Sequence, residues 1–170
     1  MKTNPVGYSL VILMVLLIPV FSYAQEATPE DIIQKVRAGV ELLKEEGAAG
    51  LDKINNPDLD DNPWVFKGTN VFVYECDKGF MVGTAFFPKL RTKDLRTMKD
   101  IKGNMVYLQL CEAASRPDGG WVEYWWPKPG GKTPERKVAY MLQAPGTPYQ
   151  VGAGIYDDDA TIEALEGYRD

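Results

Sequence analysis

The sequence contains no histidine among its 170 residues. Imidazole is the side chain that most often serves as a general base, activates a serine or cysteine nucleophile, or binds zinc. Its absence excludes Ser–His and Cys–His nucleophile pairs and zinc held by histidine. Catalysis would have to rely on carboxylates, lysine, tyrosine or cysteine. We therefore expect a binding protein rather than an enzyme, with no cofactor and no metal.

An excess of positive charge is also missing, because the formal net charge is −5. Nucleic-acid binding and electrostatic docking on anionic lipid both need a basic face. We expect neither. Hydrophobic residues make up 45% of the chain, which is enough for a packed core, and the length favours one domain.

Long apolar runs are scarce, and the one that stands out is at the amino terminus. Lys2 precedes it, Leu10 to Phe21 form it, and a small–x–small site, Ser22-Tyr23-Ala24, follows. This pattern predicts a secretory signal peptide over residues 1–24. The run is shorter than the roughly 20 apolar residues that span a bilayer. An uncleaved anchor is the alternative.

Cleavage would leave residues 25–170 as a single domain with a short acidic tail. We expect this product to be periplasmic or secreted, with no stable membrane insertion. Export permits a disulfide, and 34 residues separate the two cysteines, Cys76 and Cys111. The sequence leaves open whether they are bridged or are separate thiols, because bridging depends on their distance in the fold. A catalytic thiol is not expected without histidine to activate it.

Hydrophobic periodicity predicts two helices and five strands. Thr28 and Pro29 begin the first helix, which Gly47 ends, and residues 48–63 form a connection with an acidic loop that does not fit an EF-hand calcium site. The remaining elements are predicted as strands over 71–74 and 80–87, a helix over 104–114, and strands over 121–126, 137–143 and 149–156. Short links between strands predict an antiparallel sheet with helices on one side, which is an α+β fold.

Four segments carry a family resemblance: VFVYECDKG from Val71, GGWVEYWWP from Gly119, KVAY from Lys137 and VGAGIY from Val151. Their order and spacing resemble the single Cache domains, the PAS-like extracellular sensor modules of bacterial chemoreceptors and sensor histidine kinases. The resemblance covers roughly residues 30–157.

The resemblance implies a PAS-like five-stranded antiparallel sheet, a long N-terminal helix and a second helix between strands 2 and 3. It also implies a pocket for a small organic acid, amine or amino-acid-like solute. The expected function is an exported, small-molecule-binding sensor domain that passes ligand state to a membrane receptor or kinase partner. Two positions depart from the family. Thr84-Ala85 stand where a His-Pro pair is common, and Leu108 stands where many members have arginine.

Candidate ligand-binding residues come from strand alternation and from the resemblance together. Alternation places Tyr124 and Trp126 on one face of the third strand, and the resemblance makes that face the pocket; plain core packing is the alternative. Lys137 could pair with a ligand carboxylate or face solvent. The full set of candidates is Tyr74, Thr84, Arg91, Tyr124, Trp126, Lys137 and Tyr140.

A second function remains open: a structural or interaction protein of the cell envelope that kept the fold and lost the pocket. The two departures from the family favour it. The adjacent Trp125 and Trp126 favour it too, because two neighbouring indole rings on one strand cannot both enter one core. Binding of any solute would distinguish the sensor from this alternative.

Overall fold

The computed structural model describes residues 26–168. The predicted signal peptide therefore lies outside the described residues. Within them, no helix is both long enough and apolar enough to cross a membrane.

The first helix, α1 (Pro29–Glu46), begins at a reciprocal cap. The Asp31 backbone N–H donates to the Thr28 hydroxyl at 3.3 Å, and the Thr28 N–H donates to the Asp31 carboxylate at 2.9 Å. Two of the N–H groups that a helix start leaves free are satisfied in this way. The helix ends at Gly47, whose φ of 58° suits glycine.

The other elements follow closely the order that the sequence predicts. They are α2 (Ala48–Ile54), β1 (Val65–Phe66), β2 (Thr69–Asn70), β3 (Phe72–Glu75), β4 (Phe80–Thr84), a 3₁₀ helix (Pro88–Thr92), α3 (Val106–Ala114), β5 (Gly120–Pro127), β6 (Pro134–Gln143), β7 (Gln150–Ile155) and α4 (Ile162–Glu166).

Several elements differ from the prediction. The connection after α1 contains the helix α2, and a two-stranded ribbon, β1–β2, precedes the main sheet. Strand β4 ends at Thr84 rather than Phe87, because the Phe87 N–H turns back to the Thr84 hydroxyl and Pro88 starts a 3₁₀ helix. Helix α3 begins at Val106 rather than Asn104, whose N–H donates to the Asp100 side chain instead.

The main sheet has five strands in the order β4-β3-β7-β6-β5, and every neighbouring pair is antiparallel. This arrangement confirms the predicted α+β fold with a long N-terminal helix and a helix between the second and third strands of the sheet.

The expectation of helices on one side was wrong, because helices cover both faces of the sheet. Helix α1 packs on the face that carries Val73 and Tyr140, and α3 packs on the face that carries Tyr74 and Val122. Successive side chains of a strand point to opposite faces, and here both sets are apolar. Each face therefore needs its own cover.

The acidic residues after β7 do not all form a free tail. Thr161 caps the short helix α4, whose Leu165 is buried in the α1-side core. The Arg136 guanidinium of β6 donates to the carbonyls of Asp157 and Ala160. These bonds hold the segment after β7 against the sheet.

A disulfide joins Cys76, just after β3, to Cys111 in α3, with their Cα atoms 5.8 Å apart. Beside it, the Tyr107 hydroxyl of α3 donates to the backbone carbonyls of Glu75 and Cys76. Helix α3 is thus fastened, covalently and by hydrogen bonds, to the β3–β4 hairpin that forms one edge of the sheet.

Removing both cysteines should cost stability, because the bridge closes a loop with a sequence separation of 35 residues. The loop-entropy relation predicts a loss of about 3–4 kcal/mol. Urea unfolding of the Cys76→Ala/Cys111→Ala variant measures it, and wild-type protein under reducing conditions should show the same midpoint. A loss below about 1 kcal/mol would contradict this expectation.

Candidate functional site

A cavity lies on the α3 side of the sheet, at the end where β4 leaves it. It combines five aromatic side chains with one thioether and three polar groups. The lining residues are Asn70, Phe72, Tyr74, Met81, Thr84, Phe87, Tyr124, Trp126 and Lys137. Five of the seven predicted ligand-binding residues are among them. The lining fits the usual composition of a small-molecule site, an apolar wall with a few convergent polar groups.

The cavity is narrow. Its empty space is about 300 Å³ when the open mouth is counted, but only about 10 Å³ can hold the centre of a water-sized sphere. That is room for roughly one water molecule. A solute of several heavy atoms would therefore need some of the lining side chains to change rotamer.

The aromatic wall is formed by rings in edge and tilted contact. The Tyr124 and Trp126 ring centroids are 6.1 Å apart, and the Phe87 ring lies 5.8 Å from Trp126. Burial raises the pKa of the Tyr74 and Tyr124 hydroxyls, so both stay protonated near neutral pH. Neither hydroxyl bonds to another residue in the range 26–168, so both can donate to a bound molecule.

Lys137 is the charged residue of the cavity. It lies opposite Tyr124 in the β5–β6 pair and is only 3% exposed. Its Nζ lies 5.5 Å from the Phe72 ring centroid and 5.0 Å from that of Tyr156. Among the described residues it has no hydrogen bond and no carboxylate partner, and burial lowers its pKa to about 7.

An ammonium group in such a position is costly, because aromatic rings compensate only in part for the lost water. A bound anion would supply the missing partner. The arrangement of Lys137 with two free phenol hydroxyls can therefore hold a small group that carries negative charge and accepts hydrogen bonds.

Comparison with known proteins identifies the family to which this fold belongs. A family model described as the Cache domain matches residues 65–161, more than half of the chain. The chain belongs to the Cache domain family. The methyl-accepting chemotaxis protein McpP of Pseudomonas putida is 35% identical over 83 residues, which are 49% of this chain and 15% of that protein. The chain thus matches a small part of that receptor's length.

Solved structures of Cache-type sensors share the fold. The methyl-accepting chemotaxis protein of Vibrio parahaemolyticus superposes with a TM-score of 0.62 at 23% identity, over 76% of this chain and 88% of that one. A Cache chemosensory domain solved to explain its recognition of carboxylic acids gives a TM-score of 0.61 at 22% identity, over 76% of this chain and 92% of that one. At these identities the likeness establishes the fold.

Two of the seven predicted ligand-binding residues do not line the cavity. Tyr140 faces α1, where its hydroxyl donates to the Asp118 carbonyl at 2.6 Å and its ring lies 5.4 Å from that of Trp121. It stands three positions after Lys137 in one strand, so the two side chains must point to opposite faces. Arg91 lies in the 3₁₀ helix, where its Nε donates to the Pro88 carbonyl, and it does not line the cavity.

The polar rim of the cavity contains residues that the sequence did not single out. The Asn70 amide donates to the Thr84 hydroxyl at 3.2 Å, and the Thr84 N–H donates to the Asn55 side chain at 2.9 Å. Asn70 shares its face with Phe72 and Tyr74, so the alternation that selected Tyr74 could have found it. Asn55 comes from the connection after α1, and its role depends on tertiary contact.

The described residues contain no group of three acidic or cysteine side chains close enough to hold a metal ion.

Burial of Lys137 should make stability depend on pH. Its pKa falls from about 10.4 in the unfolded chain to about 7 in the fold, so the unfolded chain binds more protons between these values. The cost is complete below about pH 7 and shrinks as the pH rises. Lys137→Met should therefore stabilise the protein at about pH 6, by about 2–3 kcal/mol more than at about pH 9.

Urea unfolding at the two pH values measures this difference. The matched control is Lys132→Met, an exposed lysine of the β5–β6 turn, whose effect should not change with pH. If Lys137→Met raises the free energy of unfolding equally at both pH values, burial does not lower the pKa of Lys137 in the folded protein.

Proposed function

We propose that this chain is an extracytoplasmic sensor domain that binds a small monocarboxylate with Lys137. The observation that carries the proposal is a buried lysine without an anionic partner, in a cavity that also presents free phenol hydroxyls. Binding, rather than chemistry, is the role that such a set of groups supports.

The charge of the ligand follows from the cations at the cavity. Lys137 is the one cationic side chain that lines it within residues 26–168. Leu108, which stands where many family members have arginine, is 48% exposed and does not line the cavity. One cation matches one carboxylate, and a second negative charge would be left unpaired.

The size of the ligand follows from the narrow space. An acid of two to four carbons, roughly, needs some of the lining side chains to change rotamer, whereas a bulky solute would need the sheet face to be rebuilt. The resemblance of the fold to a Cache domain studied for carboxylic acid recognition supports the same class of ligand.

The proposal also includes the location of the chain and the protein that receives its signal. We infer a periplasmic location from the predicted signal peptide, and one structural neighbour is the periplasmic sensor domain of a chemotaxis protein. The ligand-bound chain would then contact a membrane receptor or kinase. This step rests on the family of the chain, because its relatives are chemotaxis receptors.

Two observations favour the alternative of a pocket-less interaction protein. The cavity as it stands holds about one water molecule, and Ile101 and Leu108 are exposed apolar side chains, 62% and 48% accessible. A domain that had lost its ligand could retain such a surface for a protein partner.

Propanoate serves as the probe for the sensor function. At about 100 times its Kd it should add about 2.7 kcal/mol to the free energy of unfolding, which thermal denaturation detects. Lys137→Met should abolish the effect, whereas Arg91→Met should keep it. No stabilisation by propanoate or its close homologues would contradict the proposal and favour the interaction protein.

The affinity for propanoate should depend on pH. A bound carboxylate favours the charged lysine, so binding takes up a proton above the pKa of about 7 of the free protein. The Kd should then rise by up to roughly tenfold per pH unit between that value and the higher pKa of Lys137 in the complex. Isothermal titration calorimetry in two buffers of different ionisation heat would measure both the Kd and the proton uptake. A Kd that stays constant would exclude Lys137 as the partner.

A further inference from the structure

A second cavity lies beside the first. It has room for the centre of a water-sized sphere over about 150 Å³, against about 10 Å³ in the Lys137 cavity. We name it the outer chamber and define it by Lys67, Thr69, Lys128, Tyr156 and Asp157. The outer chamber thus has the room for a solute that the neighbouring Lys137 cavity lacks.

The ring of Tyr156 lines the outer chamber and lies next to Lys137, a lining residue of the first cavity. The ring centroid is 5.0 Å from Nζ of Lys137, which lines the Lys137 cavity. It is 5.6 Å from Nζ of Lys128, which lines the outer chamber. The hydroxyl donates to the Pro127 carbonyl at 2.8 Å, which fixes the ring in this position. One side chain therefore touches the charged groups of both spaces.

The neighbouring backbone supports the same division. Thr69 and Asn70 are consecutive in β2, and Thr69 lines the outer chamber while Asn70 lines the Lys137 cavity. A strand cannot move aside without breaking its ladder, but Tyr156 follows the last residue of β7, and its side chain is held by the hydrogen bond to Pro127 and by the contacts of its ring with Lys128 and Lys137. Of the groups that separate the two cavities, the Tyr156 ring is the one that a substitution can remove without disturbing a strand.

We propose that Tyr156 determines the length of the ligand by closing the Lys137 cavity on the side of the outer chamber. An acid held at Lys137 would meet the ring, so its chain must stay short. Without the ring, the two spaces would join and longer chains would fit. The ligand part of this inference rests on the proposed function, whereas the partition itself does not.

A thiol placed at Lys137 tests the partition without any ligand. The chain's own two cysteines are bridged, so Lys137→Cys would supply the free thiol. We expect methyl methanethiosulfonate to modify this thiol at least tenfold faster when Tyr156→Ala is added, as followed by mass spectrometry of the folded protein. Adding Tyr156→Phe, which keeps the ring, should leave the rate near that of Lys137→Cys alone.

Equal rates with and without the ring would overturn the partition, whatever the protein binds. The same holds if Tyr156→Phe accelerates the reaction as much as Tyr156→Ala, because the hydrogen bond and not the ring would then matter. Circular dichroism of each variant confirms that the fold is retained.

A series of linear acids tests the consequence for specificity. Calorimetry with propanoate, pentanoate and heptanoate should show wild-type and Tyr156→Phe proteins losing affinity at least tenfold from the shortest acid to the longest. Tyr156→Ala should remove or reverse that loss. The same preference for short acids in Tyr156→Ala would overturn the role in length selection. If wild-type protein binds none of the acids, the proposed function fails, and the thiol rates alone decide the partition.

Discussion

The structure depends on a sheet that must be covered on both faces. Alternate residues of its strands point to opposite sides, and both sets are largely apolar, so neither face can be left to water. Helix α1 covers one face. The other is covered by α3 and the segment between β4 and α3, and the disulfide between Cys76 and Cys111 fastens that second cover. The candidate site lies under the second cover.

Two consecutive residues of β6 show how the faces differ. Arg136 points to the α1 side, where its guanidinium pairs with Glu123 and binds the carbonyls of Asp157 and Ala160. Lys137 points to the α3 side, where it lies near the rings of Phe72 and Tyr156 and, among residues 26–168, has no carboxylate partner. The donors of Arg136 are used within the protein, whereas those of Lys137 remain available, which is the pattern that the proposed ligand site requires. The contrast within one strand is the main structural argument for a binding site.

Much of the fold could be predicted from local sequence. The cap at Thr28, the helical spacing up to Leu43 and the alternation in the strand around Tyr124 are short-range patterns with direct physical causes. Helix α2 was missed because its seven residues follow α1 after a single glycine. The cover on both faces was missed because a strand that is apolar on both sides gives no local sign of which helix it meets.

The site was predictable only in part, for similar reasons. Strand parity placed Tyr124 and Trp126 on one face, and the family resemblance pointed to Lys137; all three line the cavity. Parity within β6 should have rejected Tyr140. The outer chamber and the position of Tyr156 depend on how β2, β5 and β7 meet in space, which no spacing in the sequence reveals.

The central claim is that Lys137 lacks a partner in the free protein and gains one when a carboxylate binds. Nuclear magnetic resonance of the lysine side chains, with the Lys137 signal assigned by substitution, follows its titration directly. The account predicts a pKa of about 7 in the free protein, raised by about one unit or more when propanoate is saturating. A pKa near the ordinary value of about 10.4 in the free protein, or one that saturating propanoate does not move, would contradict it.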